Sequence, residues 1–244
     1  MSLDPSQPAR LVAGLLSLGL WGVSALPAVH AQPDTFQHPQ VTEQLREADD
    51  CSLADMMAFD EHYTSLLGRV WLAIADQESR DAMATAAEAG DSQVMFEYGL
   101  TFAYHDREPD FDQALIWLRR AADQDHAGAQ AEIGGAYLNG FMGLAPDIGE
   151  AEAWLQDAAA NGDALAAYAL SAMYGQLIRH EMPVGFTEEI AYLAESAAAC
   201  YPLALRDIAM RSLVGDGIEQ NRSRAVQLSD RLEEYYQAGG QVRP

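Results

Sequence analysis

The chain has no lysine; all fourteen of its basic residues are arginine, and 37 acidic residues bring the net charge to −23. A protein this acidic repels phosphate backbones and anionic head groups, which argues against nucleic acid and acidic lipid as partners. Beyond the N-terminal segment no stretch offers 18 uncharged apolar residues, so no membrane-spanning helix is expected there. No serine stands in a G-x-S-x-G turn, and there is no glycine-rich phosphate loop. His180-Glu181 lacks a second histidine at ligand spacing. Asp106, Glu108, Asp110 and Asp112 form an acidic loop without the glycine and closing glutamate of a calcium loop. Asp60, Glu61 and His62 are sequence neighbours, which point to different faces of a helix. These groups read as connectors and solvated helix faces. The sequence therefore assigns no catalytic residue, metal ligand or cofactor-binding residue, and points away from an enzyme.

What the chain does have is a repeat. Gly162 to Tyr174 reads GDALAAYALSAMY, a turn leading into an alanine-rich helix. Its outline recurs as GDSQVMFEYGLTF from Gly90, as DHAGAQAEIGGAY from Asp125, and in degraded form as CYPLALRDIAMRS from Cys200. The start positions 90, 125, 162 and 200 step by 35, 37 and 38 residues. A second helical pattern closes each of the first three units: Ala114 to Ala122, Ala151 to Ala159 and Ile190 to Ala198. In the first two of these, Trp117 precedes Ala121 and Trp154 precedes Ala158 by one helical turn, which places ring and small residue on one face. Two helical patterns per unit at this period predict an all-α fold, an α/α superhelical solenoid of stacked helix–turn–helix repeats. Gly90-Asp91 and Gly162-Asp163 predict a glycine ending one helix and an aspartate capping the next.

The pattern GDAxAxYxLxxMY, a glycine-bearing loop, then AxxWxxxAAxxG resembles the Sel-one-like repeat, a relative of the tetratricopeptide repeat, here of the secreted bacterial type. The resemblance runs from about Ala82 to Leu232. It is strong for the units at 90, 125 and 162. It is weaker at 200, where Cys200-Tyr201-Pro202 replaces Gly-Asp-Ala and the second helix lacks tryptophan. The loop glycine stands at Gly140 and in Gly215-Asp216-Gly217; it is missing near His105, and the loop from Leu177 to Gly185 is long. The resemblance implies a non-catalytic protein–protein or protein–peptide interaction module. Some secreted relatives are linked to β-lactam or cell-wall ligands, which implies the alternative of an enzyme-like protein that binds or hydrolyses such a ligand. A structural subunit of an envelope complex is a third reading.

In chain order, residues 1–31 read as a signal peptide: Arg10, an apolar run from Leu11 to Leu26, Pro27, and Val29-His30-Ala31 before a cut after Ala31. The expected location is periplasmic or secreted; the alternative is an uncleaved anchor. Cleavage removes Asp4 and Arg10 and leaves the charge unchanged. Residues 32–50 are expected to be a flexible segment with a short helix over Val41–Ala48. Residues 51–89 are expected to be N-terminal capping helices broken at Gly68, residues 90–221 the repeats, and residues 222–244 a C-terminal capping helix and tail.

Counting each first helix from its turn residue, positions 5, 9, 10 and 13 are apolar or small and are expected to be core: Tyr98, Gly99, Ile133, Gly134, Leu170 and Ser171 among them. Trp154 is expected in the core with them. Positions 4, 8, 11 and 15 form the opposite stripe, the expected concave surface. Its candidate partner-binding residues are Glu97, Leu100, Tyr104, Glu132, Asn139, Leu165, Gln176, Asp207 and Met210. The N-terminal half of the stripe carries acids, which suit a basic partner segment, and the C-terminal half carries Leu165, Leu203, Met210 and Val214. An exposed apolar patch marks a contact. Either a partner or the chain's own N-terminal helix covers it. Cys51 and Cys200 are either one disulfide, which requires the N-terminal segment to run back along the repeats, or two unpaired thiols.

Overall fold

A computed structural model describes residues 39–105, 109–179 and 186–240. Among them are eleven α-helices and no strand: α1 (Pro39–Asp50), α2 (Leu53–Ala75), α3 (Gln77–Glu88), α4 (Ser92–Ala103), α5 (Phe111–Ala122), α6 (Ala127–Asn139), α7 (Ile148–Ala160), α8 (Ala164–Arg179), α9 (Phe186–Ala198), α10 (Pro202–Val214) and α11 (Arg222–Gln237). The fold is an α/α-repeat solenoid. The signal-peptide reading, Asp106 and Glu108, His180-Glu181 and residues 241–244 lie outside the described residues.

The repeat turns share one backbone device. The residue that closes each second helix is left-handed: Gly90 at φ 101°, Asp125 at 58°, Gly162 at 89° and Cys200 at 60°. The next residue starts a new helix. Asp91 accepts from the Val94 N–H, and His126 does the same for Ala129 through its ring. Within a repeat, the small residue at position 10 lets the two helices close. A Cβ on Gly99 would lie 3.1 Å from Leu118 Cγ, and one on Gly134 would lie 2.8 Å from Leu155 Cγ.

The described chain divides into two compact units. The first, residues 62–163, pairs α4 with α5 and α6 with α7, and α3 packs on α4. Its core contains Leu66, Val70, Phe96, Leu100, Leu118 and Ile133. The second unit joins residues 39–61 to residues 164–240. Here α8 pairs with α9 and α10 with α11, while α1 packs along α9 and against α11. Its core contains Val41, Leu45, Met56, Leu193, Ile208 and Tyr235. Cys51 and Cys200 are joined in this unit, with their Cα atoms 5.5 Å apart.

Three expectations change. Residues 39–50 form a fixed helix, because Val41, Leu45 and Ala48 share one buried face. Gly68 does not break α2: buried Leu66, Leu67 and Val70 carry the helix past it, and the break falls at Asp76. The Asp76 side chain caps α3 by accepting from the Ser79 N–H at 2.8 Å, and Arg80 donates to the Ala73 and Ile74 carbonyls at the end of α2. Finally, residues 51–61 belong to the second unit, so only the later part of 51–89 covers the first repeat.

Candidate partner-binding surface

In the first unit the stripe is largely interior. Glu97 is 3% exposed and Leu100 is fully buried. Arg69, from α2, clamps Glu97: Nε donates to both carboxylate oxygens at 3.0 Å and Nη2 to Oε1 at 2.6 Å. Gln93 adds a bond to the same oxygen at 2.7 Å. The Gln93 carbonyl lies 3.0 Å from His126 Nε2. His126 Nδ1 accepts the Ala129 N–H at 3.1 Å, so Nε2 carries the proton that goes to Gln93. Burial lowers the His126 pKa and keeps this neutral form in place.

One repeat further on, the Tyr104 hydroxyl donates to the Glu132 carboxylate. Glu132 is 5% exposed. Burial pushes its pKa up to about 7; the Tyr104 bond opposes that rise, and the nearby Asp163 charge adds to it. Tyr104 is itself raised well above its ordinary value by burial and by the Glu132 charge. Glu97 and Leu100 are therefore covered by α2, and Glu132 is buried against Tyr104 of the preceding repeat, where the sequence predicts an open surface. For Glu97 and Leu100 the reason is α2: Leu66, Leu67 and Val70 share a core with Leu100, and Arg69 pairs with the Glu97 carboxylate. Asn139 is exposed and donates to the Gly135 carbonyl at 2.9 Å. Trp154, expected in the core, is half-buried.

In the second unit the stripe divides. Leu165 is partly buried and packs on the cluster that holds Met56, and Leu203 is 2% exposed. Asp207 accepts from the Tyr168 hydroxyl at 3.0 Å and from Arg206 at 2.9 and 3.0 Å. Gln176 is exposed. Met210 is 59% exposed, and beside it on α10 Leu213 and Val214 are 48% and 68% exposed. Three large apolar side chains at i, i+3 and i+4 on one helix form a contiguous uncovered face.

Sequence reasoning missed Arg69 and His126 as partners of this stripe. Arg69 had a readable signal, as the lone basic residue within an otherwise apolar helical stretch. His126 had a positional one: it stands second in its unit, where Asp91 and Asp163 are expected to cap the next helix. Among the described residues no helix is long and apolar enough to cross a membrane, and no group of three or more metal-ligating side chains gathers. Asp60, once a member of a candidate cluster, accepts from the Tyr235 hydroxyl at 2.6 Å.

Comparison with known proteins places this geometry. A solved Sel1 repeat protein from Oxalobacter formigenes aligns with a TM-score of 0.58 over 68% of this chain and 48% of its own, at 24% identity. A protective antigen of uropathogenic Escherichia coli that displays an SLR fold aligns at 0.54 over 79% of this chain and 46% of its own, at 22% identity. A curated relative, chitin synthase regulatory factor 3 of Schizosaccharomyces pombe, is 40% identical over 65 residues, and the chain spans 7% of its length. The Sel1 repeat model matches residues 85–126, 127–163 and 197–231. The degraded fourth unit is thus matched, and the unit at 162 lies outside the matched segments. Sel1 repeats mediate protein–protein interaction, and proteins built from them are typically non-catalytic scaffolds. With three matched segments and helix-hairpin packing in both units, the chain carries Sel1 repeats.

Proposed function

We propose that this protein is an exported, non-catalytic adaptor that binds a protein or peptide through the open part of the first-helix stripe in the second unit. The observation that carries the reading is the uncovered face of Met210, Leu213 and Val214 on α10. An apolar face of this kind on a repeat helix suits a partner's apolar anchors, and the net charge of −23 favours a partner whose rim is basic. Export rests on the N-terminal 31 residues and their Val29-His30-Ala31 boundary. The same reading accommodates a subunit of an envelope complex, which binds without bond-making.

A photo-crosslinking residue at position 210 of the full chain, expressed in its own cell type, tests the site. A discrete adduct at 210, absent with the probe at exposed Asp81 and lost in Val214→Asp, is the expected result. No adduct, or the same adducts at both positions, overturns the surface. Mass spectrometry of the purified protein's first peptide tests export: a start at Gln32 is expected, and an intact Met1 in the cytosolic fraction overturns it.

A further inference from the structure

In the second unit α1 is held the way a groove holds a peptide helix. Val41, Leu45 and Ala48, at i, i+4 and i+7, are buried in the cluster that contains Ile190, Leu193, Leu228 and Leu232. The end of α1 is clamped from α11. Arg224 reaches both Asp49 carboxylate oxygens, at 2.8 to 3.0 Å. Arg231 Nη1 donates to the Cys51 carbonyl at 3.1 Å and to that of Asp49. These carbonyls lie where a finishing helix leaves acceptors open. The recognition elements are those of a helix-in-groove complex: an apolar stripe, an acid beside it and a cationic grip on the C-terminal end. Immediately after the clamp comes the covalent tie. Cys51 is 3% exposed, and Cys200, in the turn between α9 and α10, is partly buried.

A helix of twelve residues is too short to persist alone in water, so α1 exists through its seat. The turn that carries Cys200 is the one every repeat uses: its left-handed φ of 60° matches that of Asp125 at 58°, so the repeat itself presents the sulfur beside the end of α1. Seat and bond are also separable. The seat is built by α9 and α11, and the bond lies beyond the end of α1.

We propose that the Cys51–Cys200 bond is a reducible latch on a helix-accepting seat formed by α9 and α11, and that α1 is its resident, displaceable occupant. The reductant is a dithiol. One of its thiolates attacks Cys200 Sγ, the sulfur of the less buried residue, and Cys51 leaves as a thiolate. The second thiol then expels Cys200 as a thiolate and closes the reductant's own disulfide. Two electrons pass: the protein's cystine is reduced to two thiols and the dithiol is oxidised. With the latch open, only α1's non-covalent contacts, its buried side chains and the Arg224 and Arg231 grip, compete with an incoming helix. That helix carries apolar residues at i, i+4 and i+7 and an acid at i+8, the pattern of Val41, Leu45, Ala48 and Asp49.

Hydrogen exchange on the full chain, with and without dithiothreitol, reads the latch. Amides of residues 39–50 are expected to exchange at least tenfold faster after reduction, while those of α9–α11 keep their protection, and Cys51→Ser is expected to reproduce the reduced pattern. A labelled peptide of residues 39–50, PQVTEQLREADD, then reads the seat. It is expected to bind the reduced Val41→Asp/Leu45→Asp chain, to bind at least tenfold less well when its own Asp49 is replaced by Asn, and not to bind oxidised wild type. Three results overturn the proposal: residues 39–50 stay protected after reduction, α9–α11 lose protection together with them, or the peptide fails to bind a double variant whose α9–α11 protection is intact. The crosslink at position 210 is independent of every one of these results.

Discussion

At the scale of single residues, the repeat separates neighbours that look alike. Gly134 and Gly135 are adjacent in α6, yet a Cβ on Gly134 would meet Leu155 at 2.8 Å and 3.1 Å, while one on Gly135 would meet nothing within 4 Å. Gly134→Ala is expected to destabilise the protein by about 1–3 kcal/mol through overpacking. Gly135→Ala is expected to stabilise it by about 0.5–1 kcal/mol, the helix-interior cost of glycine. Urea unfolding of both variants checks the pair, and equal signs would disprove the close approach. This distinction was legible in the sequence, since small residues recur at position 10 of successive units. The burial of Glu132 was not. A solitary acid on a stripe opposite the core reads as solvated, and its partner Tyr104 stands 28 residues earlier, one repeat away. That contact holds Glu132 inside, where the stripe predicts an exposed acid, while Trp154 is half-buried against the core of the first unit.

Glu132 carries a pH signature. Its folded pKa of about 7 lies above the ordinary 4.5, so the folded state holds a proton that the unfolded chain has released. Its contribution to stability is fully present below pH 4.5 and is lost as the pH rises through 7; the difference of roughly 2.5 pH units corresponds to about 3 kcal/mol. Burial also raises the pKa values of Glu189 and Glu195, so wild type alone does not isolate the effect. Between pH 5 and pH 8, Tm is expected to fall further for wild type than for Glu132→Gln. Parallel curves would mean that Glu132 is ionised within the fold.

At the scale of elements, α4 to α11 were legible because each carries a helical period bounded by a turn signal. The fate of the N-terminal helices was not, because α1 and α2 lack a repeat signature and their docking is long-range. Gly68 looked like a breaker, but a lone helix-interior glycine costs only about 1 kcal/mol relative to alanine, and the buried side chains of Leu66, Leu67 and Val70 outweigh it. Two substitutions at consecutive positions test this account of α2. Gly68→Ala, with nothing within 4 Å of the new Cβ, is expected to stabilise by about 0.5–1 kcal/mol. Arg69→Ala strands the Glu97 carboxylate and is expected to cost about 3 kcal/mol, more than an exposed ion pair contributes. Adding Glu97→Gln to Arg69→Ala removes the stranded charge and is expected to recover part of that loss. If the double variant is no more stable than the single one, the clamp is not what seats the later part of α2.

At the scale of the whole molecule, the absence of lysine and the excess of acids set the response to salt. With 37 acidic residues against fourteen arginines, like charges outnumber pairs. Among the described residues, Arg69–Glu97 and Arg211–Glu189 pair a buried acid with an arginine, the acid side chains being only 4% and 5% exposed. Salt screens exposed charges over a Debye length of about 30 Å at 0.01 M and about 10 Å at 0.1 M, and it reaches buried pairs far less. Adding salt therefore weakens the net repulsion between exposed acids more than it weakens the attractions that hold the folded chain. Tm is expected to rise between 10 mM and 500 mM sodium chloride, and to rise by a similar amount with potassium chloride, because the effect is screening and not site binding. A falling Tm would mean that exposed ion pairs dominate the electrostatics of the fold, and that the arginines are arranged to neutralise the acids far more completely than the described pairs do.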